Sequence, residues 1–291
     1  MTYYQFIHEV EMKVKERMED GVSVFIHSTV KNNAAMRYGL TIARKGTNIF
    51  PTIYLEEYYR QFKGGSSVES IASDILRTYS TVHFQKPFSG EFIQDYQNIK
   101  GKIIYHLVNR KSNQDLLKDV PYEEYLDLAV VYYVLLEVSA YGMASMMIQN
   151  DHLKMWNVPG EEIARRARAN TKRLHPYEFR TMYALLEELM DIEGTGREDV
   201  MYVLSNQIRS HGAAAILYEG RLAGIGEYLK ENYYVLPSSV HEVIIVPESA
   251  SPGRSVLDRL VREVNDTQVD QEDVLSDHAY YYDRRKGCLL L

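Results

Sequence analysis

A chain of 291 residues, 45% hydrophobic and 25% charged, is long enough to bury a core without covalent staples, and its composition excludes a disordered chain. Its single cysteine, Cys288, excludes an internal disulfide and a cysteine-rich zinc site, and fits a reducing cytoplasm. A net charge of -7 argues against indiscriminate coating of nucleic acid or anionic lipid while leaving room for a local basic patch.

The first residues carry Glu9, Glu11 and interspersed lysines where a secretion signal needs an apolar stretch, so a cytoplasmic protein is expected. Residues 3–19, with Tyr4, Ile7, Met12 and Val14 among charges, read as an amphipathic helix. The β-branched run Val22 to Val30 breaks at Lys31-Asn32-Asn33 and resumes from Met36 to Ala43, which predicts a hairpin. Pro51 is expected to open a helix through Tyr54, Leu55, Tyr58 and Tyr59. Gly64-Gly65 stops it, and Ser66 or Ser67 caps the next helix, which contains Ile71, Ile75 and Leu76.

Lys102 to Val108 reads as a strand. Leu126 to Val138 and Met143 to Ile148 read as two paired strands turning at Tyr141-Gly142. The nine-residue apolar run Leu128 to Leu136 is far short of the roughly 20 residues that cross a membrane, and suits a strand covered on both faces. Helices are expected at Gly160 to Leu174 and Pro176 to Met190, and a polar linker at Asp191 to Asp199. Beyond it the pattern gives a strand at Met201 to Leu204, a segment at Ala213 to Tyr218 and a helix at Arg221 to Lys230. Strands at Tyr233 to Leu236 and His241 to Val246 come next, then a helix at Ser255 to Val264 and strands at Ala279 to Tyr282 and Cys288 to Leu290. Strands and helices mix without βαβ alternation, so the expected class is α+β, with mixed or antiparallel sheets and packed helices. Two lobes are expected, 1–192 and 199–291, or one continuous domain. The 24 tyrosines suit strand packing and half-buried surfaces.

Ser239, His241 and Glu242 are hydrolase residue types, but a zinc-protease motif needs a second histidine where Ile245 stands. On a strand His241 and Glu242 face opposite sides, and no nucleophile elbow surrounds Ser239. Asp277-His278 is a second candidate; if the two strands are neighbours, His241 and His278 form an acid/base pair or share a metal. The plainer reading makes both segments turns that lead into core strands. The other seven histidines (His8, His27, His83, His106, His152, His175 and His211) show no local metal spacing, so no metal or cofactor is expected. Lys45-Gly46-Thr47 and the Gly220, Gly224, Gly226 series fit no nucleotide-binding motif.

In the helix from 160 to 174, Arg165, Arg166, Arg168, Lys172 and Arg173 fall within about 160° of arc, opposite Ile163, Ala164, Ala167 and Leu174. Such a face is either simply solvated or a docking surface for phosphates or an acidic protein. Arg284-Arg285-Lys286 extends such a patch or forms an ordinary polar hairpin tip.

Segments along the whole chain carry a resemblance. They include Tyr54-Leu55-Glu56-Glu57-Tyr58, Tyr125-Leu126-Asp127-Leu128, His152-Leu153-Lys154-Met155-Trp156, Gly212-Ala213-Ala214-Ala215, Pro237-Ser238-Ser239-Val240-His241-Glu242, Val264-Asn265-Asp266-Thr267, and Ser276-Asp277-His278-Ala279-Tyr280. In this order they resemble a large bacterial family known only as a domain of unknown function. The resemblance implies one inherited unit and a bacterial, cytoplasmic protein, and is silent on activity. One departure is Ala34-Ala35, where members tend to carry a glycine.

The expectation is therefore a non-enzymatic binding or regulatory module. It engages a protein or nucleic-acid partner through exposed tyrosines and the Arg165, Arg166, Arg168, Lys172 and Arg173 face. The alternative is a hydrolase-type enzyme using Ser239, His241, Asp277 and His278.

Overall fold

The computed structural model describes residues 1–44, 52–81, 91–139, 142–190 and 200–291. They form two compact units, Met1–Asn98 and Ile99–Leu291, with an α+β architecture and antiparallel sheets.

In the first unit, Thr2 and Gln5 close a capping box on α1 (Tyr3–Lys15), whose buried Phe6, Ile7, Val10 and Val14 recur on one helical face. That face joins Val24, Leu40, Ile42, Ile71 and Ile75 in one core. The expected hairpin is present: β1 (Val22–Val30) and β2 (Met36–Arg44) run in register from Val22 opposite Arg44 to Val30 opposite Met36. Its turn holds Asn33 and Ala34 at φ of 56° and 55°, the left-handed region where a Cβ is unfavourable. The helix expected from Pro51 is corrected. Pro51 lies outside the described residues, β3 (Thr52–Tyr54) adds to β2, and α2 (Glu56–Lys63) begins only at Glu56. The Glu56 carboxylate fixes that start by accepting the Tyr38 N–H at 2.7 Å and the Tyr3 hydroxyl at 2.8 Å. Ser67 accepts the Ser70 N–H at 3.1 Å at the head of α3 (Val68–Thr81), and α4 (Glu91–Gln94) and α5 (Tyr96–Ile99) follow.

The second unit opens with β4 (Ile103–Asn109), β5 (Tyr122–Tyr125), β6 (Leu128–Ser139) and β7 (Gly142–Met147). β6 is central, as its two-sided apolar run requires: β4 lines one side, and β5 then β7 line the other. The turn expected at Tyr141-Gly142 falls partly outside the described residues. α6 (Asn150–Trp156) and α7 (Gly160–Leu174) come next, the latter with the boundaries its sequence predicts.

α7 closes the open edge of β4. The Asn170 amide donates to the carbonyls of Lys100 and Ile103 at 2.9 and 3.0 Å, and Thr171 Oγ1 accepts the Tyr105 N–H at 3.1 Å. Ala164 and Ala167, both buried, let the helix approach closely enough for these bonds. An unpaired strand edge is thereby protected by side chains.

The helix expected from Pro176 is also corrected. β8 (Tyr177–Thr181) precedes α8 (Met182–Met190) and pairs with β9 (Tyr202–Asn206). The linker expected at 191–199 lies outside the described residues, and the strands on either side of it belong to one sheet. After a buried 3-10 turn at Gly212–Leu217 come α9 (Arg221–Leu229), β10 (Tyr233–Leu236), β11 (Val243–Pro247), α10 (Arg254–Thr267), β12 (Tyr280–Asp283) and β13 (Cys288–Leu290). The sheet order is β13-β12-β10-β11-β9-β8. Tyrosines pair across its strands: Tyr233 stacks on Tyr282 at 4.8 Å and Tyr234 meets Tyr281 at 5.1 Å.

Candidate functional site

His241 lies before β11 rather than within it, so strand alternation does not set its direction. Its loop is fixed by main-chain bonds: the His241 N–H donates to Ser239 Oγ at 2.9 Å, and its carbonyl accepts from Ser205 Oγ at 2.7 Å. Gly212 is pressed against the same carbonyl. A Cβ there would lie 2.6 Å from it and 2.1 Å from Ser205 Oγ.

Both His241 ring nitrogens are engaged. Nε2 faces Asp273 Oδ1 at 3.3 Å, and Nδ1 accepts the backbone N–H of His211 at 3.3 Å. When the ring is neutral, this arrangement places its proton on Nε2. The Asp273 hydrogen bond raises the His241 pKa, against the opposing effect of burial and with help from the charges of Asp273, Glu242 and Glu272. Protonation would place a hydrogen on Nδ1, where the His211 N–H already points.

His211, at φ 52°, turns its ring flat onto His106 at 4.0 Å and edge-on to His241 at 5.6 Å. Its Nδ1 lies 3.1 Å from Ser210 Oγ. His106, on β4, stacks on that ring and also meets Tyr133, tilted by 33° with its centroid 4.4 Å away. It is 2% exposed, and neither ring nitrogen has a hydrogen-bond partner among the described residues. Burial drives its pKa well below the ordinary value, and His211, His175 and His241 add to the effect. His175, at the end of α7, is buried with Nε2 unpartnered, and burial lowers its pKa too.

The second unit thus gathers imidazoles from β4, the end of α7 and two loops, which no local spacing in the sequence announces. The run of small residues Gly212-Ala213-Ala214-Ala215 beside His211 is a sequence signal of close packing there. Among the described residues, no group of three or more His, Cys, Asp or Glu side chains converges to hold a metal ion.

The residues of the hydrolase-type alternative take separate places. Ser239 meets His241 through its main chain, and the acid facing the His241 ring is Asp273 rather than Asp277. Asp277 Oδ1 accepts from the Asn265 amide at 2.8 Å. His278 is exposed in the bend before β12, with its N–H on Ser276 Oγ at 3.1 Å. β10 separates β11 from β12, so the strands after the two histidines are not neighbours. Ser276 instead donates to Asp127 at 2.6 Å, and the Tyr280 hydroxyl donates to the other Asp127 oxygen.

The basic face of α7 is compensated from within. Arg165 and Arg166 bind Glu162 at 2.9 and 2.8 Å, Arg168 binds Glu123, and Lys172 reaches Glu219 at 3.5 Å. Arg173 donates to the Gly101 carbonyl at 3.0 Å. The hydrogen bonds from Arg166 and then Arg165 pull the Glu162 pKa down to about 2. At the last turn, Arg284 binds Glu227 at 3.0 Å and Lys286 lies 3.7 Å from Asp283.

A different surface presents aromatic rings. On β8 and β9, Phe179 stacks on Tyr202 at 5.2 Å. Tyr228 of α9 stands edge-on to both, at 5.9 and 5.8 Å. Tyr228 is 63% exposed and borders a groove of about 450 Å³ with Val200, Tyr202, Leu229, Glu231 and Pro247.

No curated protein and no solved structure gives a significant match to the chain. No helix among the described residues is long and apolar enough to cross a membrane. The match to a family model extends over residues 3–284, and the chain belongs to the family of unknown function DUF5688.

Proposed function

We propose that this chain is a non-enzymatic binding or regulatory module of the bacterial cytoplasm that docks a protein partner through the Tyr202–Tyr228 groove. The observation that carries this reading is Tyr228, left 63% exposed although its ring packs against two other aromatic rings at the groove's edge. Exposed, geometrically fixed tyrosines supply contact area at little entropic cost. A protein is favoured over nucleic acid because Glu162, Glu123 and Glu219 already engage four of the five cations of the α7 face. The hydrolase-type alternative gains no support, since His241 has no ring nitrogen open to a nucleophile.

Affinity capture from the native host lysate, with and without nuclease, tests the reading. The wild-type chain is expected to retain a protein partner that Tyr228→Glu loses and the Arg165→Glu/Arg173→Glu double variant keeps. Loss in the double variant alone, or loss on nuclease treatment, would contradict it.

A further inference from the structure

We propose that the Tyr202–Tyr228 groove receives an arginine side chain presented by the protein partner. The inference rests on the docking reading above and specifies what the groove recognises. Tyr202 and Tyr228 set their rings at 89° to one another, which gives the groove two aromatic walls of different orientation. The described residues lining it include one carboxylate, Glu231, and no cationic side chain. That carboxylate is held in place because Ser249 donates to it twice, from its N–H at 2.7 Å and its hydroxyl at 2.8 Å.

Aromatic faces beside a fixed negative charge attract a cation, and a planar guanidinium also stacks on a tyrosine ring. The fold makes a contact of this kind elsewhere, at the other end of the β8–β9 pair. The Arg221 guanidinium sits 3.4 Å from the centre of the Tyr177 ring on β8. Arginine therefore suits the groove better than an apolar or acidic anchor. An acidic anchor would meet Glu231, and an apolar one would leave that carboxylate facing a dry contact.

The test uses the full chain and two peptides, N-acetyl-Gly-Arg-Gly-amide and its citrulline counterpart, which keeps the shape and removes the charge. Backbone amide NMR follows the titration. The arginine peptide is expected to give saturable shifts at Tyr202, Tyr228 and Ser249, and the citrulline peptide to bind about 3-fold more weakly or worse, as for a cation on exposed tyrosines. Glu231→Gln should weaken the arginine peptide by a similar factor and leave the citrulline peptide unchanged. Equal binding of the two peptides, or shifts confined to other surfaces, would overturn the inference. If the arginine peptide fails while Tyr228→Glu still abolishes partner capture, the docking reading stands and this inference falls. If the arginine peptide binds the groove but Tyr228→Glu leaves capture intact, the site stands and the docking reading falls.

Discussion

His241 faces Asp273 across 3.3 Å, and its other ring nitrogen takes the backbone N–H of His211 at the same distance. One imidazole thus ties three separate chain segments together and keeps no nitrogen for chemistry. This relationship governs how the second unit should respond to pH.

The Asp273 bond raises the His241 pKa in the folded chain. A raised pKa contributes stability that is fully present below the unfolded value, near about 6.5, and is lost as pH rises through the folded value. Denaturant melts should therefore show an alkaline-side loss in the wild type that Asp273→Asn flattens. In the same transition, read downward in pH, the incoming proton displaces the His211 N–H from Nδ1. Exchange of the His211 amide, corrected for its intrinsic rate, should accelerate as His241 takes its proton.

His106 has the opposite sign. Burial depresses its folded pKa, so its contribution is present above about 6.5 and is lost as pH falls below that value. His106→Leu removes two buried, unpartnered ring nitrogens and should raise stability by about 1 kcal/mol at neutral pH. Its acid-side loss should also be smaller than that of the wild type. A variant less stable than the wild type across the whole pH range would show that the stacked ring matters more than its unmet nitrogens.

Gly212 admits no side chain, because its Cβ would meet Ser205 Oγ, the Asn206 nitrogen and the His241 carbonyl at 2.1, 2.6 and 2.6 Å. Two of these neighbours are backbone and cannot swing away. Gly212→Ala should cost about 3 kcal/mol or more, read from chemical denaturation.

Thr171→Val keeps the shape of α7 and removes the acceptor for the Tyr105 N–H at the β4 edge. A buried donor left unpaired costs about 1–3 kcal/mol, so the thermal midpoint should fall accordingly.

Ala34→Gly should stabilise the first unit by about 0.5–1 kcal/mol, since a left-handed residue sheds its Cβ strain while paying some chain entropy. The resemblance expects a glycine at Ala34-Ala35, and of these two residues only Ala34, at φ 55°, has a backbone that favours one. An unchanged denaturation midpoint would contradict that account.

The sequence was most legible where pattern and burial agree. The two-sided apolar run of β6, the β1–β2 hairpin and the full length of α7 are present as their residues predict. β8 was misread although Tyr177, Phe179 and Thr181 alternate with Glu178 and Arg180 at strand period, because the helical pattern of the residues after it extended backwards over it. β3 and β5 span three and four residues, too few for a period to declare itself. The strand expected from His241 begins two residues later, at Val243, so strand alternation assigns no face to the His241 ring. The imidazole cluster was invisible for a different reason. His106, His211, His241 and Asp273 come together only because β4 of one sheet packs against the Gly212–Leu217 turn beside the other, and through the left-handed backbone of His211, neither of which one-dimensional spacing encodes.

The central claim is that these imidazoles support the fold and do not converge on a reacting molecule. The most direct measurement is the ring-nitrogen NMR spectrum of His241 in the intact chain, above the pH at which the ring loses its charge. The account predicts a proton on Nε2 and an Nδ1 lone pair accepting the His211 N–H. An Nε2 without its proton, with the hydrogen moved to Nδ1, would present a free base toward Asp273's side of the loop and contradict it.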